Sequence, residues 1–103
     1  MPGYMAGRAA VVFGSGGDVH RSVAVALAQA GADIAVAGIT GGDLSAEAAL
    51  HSIANEIWAL GRKSTVVTLE ADDAPSFAYA VAGAIAELGR ADLVVRAEAI
   101  LNA

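Results

Sequence analysis

A glycine-rich segment lies between an apolar run and an amphipathic run, and its residue types suit the binding of an anion. It follows Ala9–Phe13 and reads Gly14-Ser15-Gly16-Gly17-Asp18-Val19-His20. A strand that turns through glycines into a helix directs backbone N–H groups and the positive end of the helix dipole at one point. Glycine also lets a ligand approach the backbone closely. We therefore predict a phosphate cradle formed by Gly14, Ser15, Gly16, Gly17 and Val19; the alternative is a turn that only reverses the chain.

An acidic residue inside this segment works against a bound phosphate. Asp18 is best interpreted as the N-cap of the following helix, accepting from backbone N–H groups near Arg21. Two like charges about 4 Å apart cost roughly 1–4 kcal/mol, depending on the local dielectric. The alternative is that Arg21 turns towards the loop and neutralises the phosphate. His20, in the first helical turn, is expected to face solvent.

The elements around the loop repeat a unit of strand, helix and glycine. Gly31, Gly61 and Gly89 each follow an amphipathic stretch and precede an apolar one, as glycines just beyond helix ends do. The predicted strands are Ala9–Phe13, Ile34–Ala37, Thr65–Leu69 and Leu93–Val95. They are continuous apolar runs, which is typical of parallel strands covered on both faces.

Three helices are predicted between these strands, at 19–30, 44–60 and 74–88. Each carries apolar residues at helical spacing. The first is expected to point inward Val19, Val23, Ala26, Leu27 and Ala30. Crossovers between parallel strands are right-handed in nearly all proteins. The chain is therefore predicted to form a single α/β domain over residues 1–103, a doubly wound parallel sheet of about four strands in the order 3-2-1-4 with three helices.

Composition excludes several classes of function. The chain has 103 residues and a net charge of −5, and its six Lys and Arg residues are scattered. Nucleic acid and anionic membranes are therefore not expected as partners, because both are bound mainly through basic side chains. There is no cysteine, so no disulfide or thiolate chemistry is expected, and the two histidines are not spaced as metal ligands. No segment resembles a signal peptide or a membrane span, so the expected location is cytoplasmic.

With these elements in place, the chain resembles the N-terminal half of a short-chain dehydrogenase/reductase. The residues that carry the resemblance extend over nearly the whole chain. They are the opening strand at 7–14, the first helix and turn at 21–33, the end of the second helix at 59–63, the acidic turn Glu70-Ala71-Asp72-Asp73, and the fourth strand from Arg90 to Val95. The resemblance implies a Rossmann-like fold, a nicotinamide dinucleotide (NAD or NADP) as cofactor, and oxidoreductase chemistry in the whole enzyme.

The departures from the family pattern fall on its functional positions. The family loop Thr-Gly-x-x-x-Gly-x-Gly corresponds here to Phe13-Gly14-x-x-x-Asp18-x-His20, so only the first glycine matches. The family sequence Asn-Asn-Ala-Gly after the fourth strand corresponds to Arg96-Ala97-Glu98-Ala99. The catalytic Ser and the Tyr-x-x-x-Lys pair belong to the family's second half. We therefore expect weak or lost cofactor binding and no catalysis by this chain alone.

One further position is carried over from the family. Asp72 corresponds to the aspartate that contacts the adenine ring, although capping of the third helix beside Asp73 is an equal alternative. After the second strand the segment 38–42 offers neither an acid for a ribose hydroxyl nor an arginine for a 2′-phosphate. The sequence therefore does not choose between NAD and NADP.

The fourth strand leaves open how the chain assembles. An apolar strand at 93–95 with an unpaired edge invites pairing with another chain. We expect either an oligomer or partner complex through this edge, or a fragment of something longer. Trp58, on the second helix, is either a partly covered helix residue or an anchor for a partner. The function predicted from sequence is a dinucleotide-binding half-domain, and the alternatives are a non-catalytic scaffold subunit or a truncated gene product.

Overall fold

The computed structural model describes residues 3–101, and they form an alternating series of strands and helices. The strands are β1 (Ala9–Phe13), β2 (Asp33–Ile39), β3 (Ser64–Leu69) and β4 (Leu93–Arg96). The helices are α1 (Asp18–Gln29), α2 (Leu44–Ala59), α3 (Ala74–Leu88) and the short α4 (Ala97–Leu101). The described residues thus contain four helices rather than the three predicted, because the segment after β4 turns directly into α4.

All strands pair in parallel, in the order β3-β2-β1-β4. Val11 of β1 pairs with Ala35 of β2 on one side and with Val94 of β4 on the other. The carboxyl ends of β1 and β4 therefore lie together, with Phe13 opposite Arg96. The predicted strand order is confirmed, and it brings the glycine loop after β1 next to the residues that follow β4.

The core is split into two layers by the sheet, because side chains alternate between the two faces of a strand. On one face, Val12 and Val36 pack with the buried residues of α1 and α2 and with Ala97 of α4. On the other face, Val11 and Phe13 pack with Leu69 and the buried residues of α3. The continuous apolar runs of β1 and β2 thus supply both layers.

The edge strands depart from the predicted burial on both faces. Residues 64–68 of β3 are at most half-buried, and three of the four residues of β4 are exposed. Each edge strand has a neighbour on one side only, so burial on both faces applies to β1 and β2 alone.

The buried face of α1 also differs from the prediction. Its fully buried positions are His20, Ala24 and Ala28, which follow one another at intervals of four. Ala26, expected to point inward, is exposed. Val19 and Val23 are half-buried beside the core. Compared with the prediction, the buried face of α1 is therefore shifted around the helix axis by about one residue. Small alanines, rather than the valines, lie closest to the sheet.

The starts of α2 and α3 and the ends of the three long helices follow signals in the sequence. Asp43 caps α2, accepting from the backbone N–H groups of Ser45 and Ala46 at 2.8 and 3.2 Å, and Asp73 caps α3, accepting from Ser76 at 2.8 Å. Beyond α1, α2 and α3, residues 31, 61 and 89 have positive φ angles of 109°, 88° and 86°, a conformation that favours glycine. Among the described residues, no helix has the length and apolar character needed to cross a membrane.

Candidate functional site

A cleft of about 440 Å³ opens at the carboxyl ends of the strands. This is the position where ligands bind in open α/β sheets, because the loops diverge where the strand order reverses. Apolar side chains form much of the lining, and three charged residues join them. The lining residues are Phe13, Gly14, Ser15, Gly38, Ile39, Leu69, Asp72, Phe77, Arg96, Glu98 and Ala99.

A buried histidine organises the glycine loop. His20 is fully buried, its Nε2 lies 2.8 Å from the carbonyl oxygen of Val12, and its Nδ1 accepts from the backbone N–H of Gly16 at 3.0 Å. Because the Val12 carbonyl can only accept and the Gly16 N–H can only donate, these contacts define a neutral ring protonated at Nε2. Burial lowers the pKa of His20 below its ordinary value, opposed by the Val12 hydrogen bond and the charge of Glu98.

Gly14 is required by this histidine. A Cβ at residue 14 would lie 2.4 Å from Cγ of His20, which is far inside van der Waals contact. A Cβ at Gly16, whose φ is +87°, would approach the Cβ of Ala49 to 2.9 Å. Both glycines are therefore structural necessities of the loop, whatever it binds.

The carboxylate of Glu98 binds the loop from within the chain. Its Oε1 accepts from the backbone N–H of Ser15 at 3.2 Å and its Oε2 accepts from the Ser15 hydroxyl at 3.0 Å. The same hydroxyl accepts from the N–H of Gly17 at 3.2 Å. Since Gly16 donates to His20, the N–H groups of residues 15, 16 and 17 all have partners within the chain. Two oxygens on one backbone N–H and one hydroxyl are also what a phosphate would offer the loop.

Placement of Glu98 follows from the residue before it. Ala97 opens α4 and is fully buried in the layer that holds α1 and α2. An alanine so confined allows little adjustment, and the next residue of α4 then faces the loop after β1. The position of the Glu98 carboxylate therefore depends on how α4 packs against the core.

Arg96 is a second polar residue that lines the cleft. The guanidinium carbon of Arg96 is 4.1 Å from the ring centroid of Phe77, and Phe77 packs against Phe13 with ring centroids 4.6 Å apart. Arg96 also forms an ion pair with Asp72 at 3.7 Å. This pair is exposed, so it contributes little to stability. A guanidinium held over an aromatic ring does, however, offer a ligand a cationic group beside an aromatic surface.

The predicted site residues fall into two groups. Gly14, Ser15 and Asp72 line the cleft. Gly16 and Gly17 continue the loop beside it, and Val19 packs against the core. Asp73, not its neighbour Asp72, caps α3, which leaves Asp72 facing the cleft. The binding role assigned to these six residues stays a prediction.

Two expectations about the loop are wrong, and the alternative given for Arg21 stays a prediction. Asp18 does not cap α1: the N-cap is Gly17, without a side-chain hydrogen bond, and Asp18 begins the helix. His20 is buried rather than solvent-facing, because the space left by Gly14 accepts its ring. The side chain of Arg21 binds Glu56 at 2.6 Å and Ser52 at 3.0 Å in this structure, so it would have to leave both partners to neutralise a phosphate at the loop.

Sequence reasoning did not assign a role to His20, Arg96 or Glu98. A signal was present, because each stands where the family pattern has glycine, asparagine or alanine. The replacements at His20 and Glu98 put hydrogen-bonding groups at the loop. Only the packing of α1 and α4 shows which groups they meet.

No family model matches this chain, and no curated protein sequence matches it. Solved structures do. Carveol dehydrogenase from Mycobacterium avium, determined in complex with NAD, is 32% identical over 89% of this chain and 35% of its own, with a TM-score of 0.72. A short-chain type dehydrogenase/reductase from Mycobacterium marinum is 27% identical over 87% of this chain and 34% of its own, with a TM-score of 0.73.

A third structure comes from a metagenomic library. This blue fluorescent protein, in complex with NADPH, is 27% identical over 87% of this chain and 35% of its own, with a TM-score of 0.76. The chain therefore spans about a third of the length of these proteins.

The class of protein is a Rossmann-like α/β half-domain. It is defined by the strand order, by the cleft where that order reverses, and by the similarity to these solved structures. More particularly, the chain resembles the N-terminal part of the NAD(P)-dependent short-chain dehydrogenases/reductases, and the resemblance predicted from its sequence is confirmed.

Proposed function

We propose that this chain is a dinucleotide-binding half-domain of the short-chain dehydrogenase/reductase type, with weakened affinity and no catalysis on its own. The observation that carries the proposal is the cleft at the carboxyl ends of β1–β4, lined by Gly14, Ser15 and Asp72. In the proposed complex, the pyrophosphate of the dinucleotide lies at the glycine loop and its adenosine lies near Asp72. Related structures contain NAD or NADPH, which supports a nicotinamide dinucleotide and leaves NAD or NADP open.

Weak affinity follows from the internal hydrogen bonds of the loop. A pyrophosphate that approaches the N–H groups of residues 15–17 has to displace the carboxylate of Glu98 and the ring of His20. Like charges about 4 Å apart repel by roughly 1–4 kcal/mol. The expected loss is therefore about five- to a thousandfold in Kd. No Tyr-x-x-x-Lys sequence occurs in the chain, so we assign it no catalytic step.

A titration with NADH and with NADPH tests the proposal, followed by cofactor fluorescence and by quenching of Trp58. We expect saturable binding that is weakened several-fold by Asp72→Ala. Glu87→Ala is the matched control, since this exposed acid lies near the opposite end of α3. An absence of binding at millimolar cofactor, or equal effects of the two substitutions, would contradict the proposed site.

A second candidate is a scaffold subunit that binds no cofactor. The specific observation in its favour is that every N–H of residues 15–17 already has a partner in the chain. Glu98→Gln separates the two candidates, because the amide can still accept from Ser15 but carries no charge. Cofactor binding that appears or strengthens in this variant favours the half-domain, and continued absence favours the scaffold.

We also propose that the chain associates with a second copy or a partner chain through the edge of β4, where Leu93 and Val94 are 36% and 52% exposed. Unpaired edge strands promote such pairing. Trp58 on α2, 74% exposed, is a second candidate contact. Sedimentation velocity at micromolar concentration tests for association, and a monomer would contradict it. The composition supports a cytoplasmic location, which fractionation of cells would test.

A further inference from the structure

We propose that Glu98 is a specificity-determining residue: it acts as an internal anion on the glycine loop, so that the cleft selects an uncharged planar ring ligand, of the nucleoside class, over phosphate-bearing ones. The inference rests on the proposed function, because it concerns the same cleft. It goes further because a phosphate-binding loop is expected to bind nucleotides more tightly than nucleosides, whereas this cleft is proposed to bind the uncharged nucleoside more tightly.

The first step is the position of the carboxylate. Both oxygens of Glu98 bind Ser15, one through the backbone N–H at 3.2 Å and one through the hydroxyl at 3.0 Å. These are the donors that a loop of this type offers an incoming phosphate. These two donors of the loop are therefore occupied by an anion that belongs to the chain and is tethered at high local concentration.

The second step is the charge of the lining. Asp72, Arg96 and Glu98 are the charged residues that line the cleft, and together they carry one negative charge. Arg96, the cation among them, is already paired with Asp72 and stacked on Phe77. A ligand with one or more phosphates adds negative charge to this set, whereas an uncharged ligand does not.

The third step is what the rest of the cleft can bind. Phe13, Ile39, Leu69 and Phe77 give it an apolar lining, and the guanidinium carbon of Arg96 lies 4.1 Å from the centroid of the Phe77 ring. Flat apolar and cationic surfaces favour stacking of a planar aromatic ring. The Asp72 carboxylate, on the same wall, can accept from an amino group on the ring. A ligand of this shape uses the cleft without touching the N–H groups of the loop.

Adenosine, AMP, ADP and NADH are the probes, titrated calorimetrically into the wild-type chain and into Glu98→Gln. In the wild type we expect adenosine to bind tightest and each added charge to lower affinity at least about fivefold. In Glu98→Gln this penalty should disappear or reverse, while the affinity for adenosine changes little. Glu87→Gln removes the same formal charge away from the cleft and should keep the wild-type order. Circular dichroism and the urea midpoint establish that both variants are folded.

The outcomes separate the two proposals. NADH binding to the wild type as tightly as adenosine would overturn the selectivity and leave the proposed function in place. A phosphate penalty that persists in Glu98→Gln would overturn the role of Glu98. No binding of any probe to either protein would overturn the proposed function itself.

Discussion

At the scale of single residues, the shape of the loop depends on Gly14 and His20, because the ring of His20 fills the space that a side chain at residue 14 would need. The absence of a side chain at residue 14 leaves room for an imidazole, which then bonds to Val12 and Gly16. A buried polar ring is stable only when its nitrogens are satisfied, and both are. The histidine thus holds the loop in place while removing one N–H from the set available to a ligand.

A pH dependence of stability follows from His20. Burial lowers its pKa in the folded chain, so the unfolded chain binds a proton first as the pH falls. Stability is therefore full above about pH 6.5, the ordinary pKa of histidine, and is lost as the pH falls towards the lower folded pKa. Urea unfolding at pH 8 and at successive values down to pH 5 measures the loss.

His20→Gln is the control for this titration, because glutamine has a donor and an acceptor but does not ionise. It should reduce the loss of stability below pH 6.5, with His51, which is exposed, left as the remaining histidine. An NMR titration in which the His20 ring protonates above its ordinary pKa would contradict the expectation.

At the scale of elements, the starts of the helices differ in how they are satisfied. Asp43 and Asp73 cap α2 and α3 with their side chains, whereas the N-cap of α1 is Gly17, which has no side chain to form a cap. In the loop before α1, Glu98 and His20 accept from the backbone N–H groups of Ser15 and Gly16. Thus α1, the helix that follows the predicted phosphate loop, has no side-chain cap, unlike α2 and α3.

Asp43→Ala should lower the free energy of unfolding by about 1 kcal/mol, the usual value of an N-cap. Asp18→Ala is the matched control, because Asp18 lies in the first turn of α1 but forms no cap. It should cost only a few tenths of a kcal/mol through the helix dipole. Urea unfolding at pH 7 measures both, and a larger loss in Asp18→Ala would contradict the assignment of the caps.

At the scale of the whole molecule, the sheet has two unlike edges. β3 is half-buried along most of its length, while β4 is short and exposed. Both strands leave backbone groups without a neighbouring strand on one side. Because β4 also carries exposed apolar side chains, its edge is where association is expected.

Val94→Lys should therefore weaken any association of the chain, since an edge lysine opposes strand pairing. Val94 is 52% exposed, so the substitution should leave the unfolding midpoint nearly unchanged. Sedimentation velocity over a range of concentrations measures the shift towards monomer. Lys63→Ala, at an exposed residue before β3, is a control that should not alter association.

Much of the fold could be predicted from the sequence. The limits of β1 and α3, the strand order and the helix-ending glycines are all observed as predicted. Each depends on a local pattern: continuous apolar runs, helical spacing, or a glycine where φ must be positive. Burial of individual positions was less predictable. Ala24 and Ala28, rather than Ala26, face the sheet. A small rotation of the helix about its axis changes which residues are buried, and neighbouring residues of similar polarity do not indicate the rotation in advance.

The sequence by itself determined the class of fold and the position of the loop, because both follow from periodicity and from glycine within short segments. Only the tertiary structure decided what the loop binds within the chain. Glu98 is 83 residues from Ser15 along the sequence, and no local pattern links them. They meet because β4 pairs with β1 and because buried Ala97 aligns α4. The sequence pointed to Asp18 as the opposing charge, whereas the fold brings Glu98 to the loop.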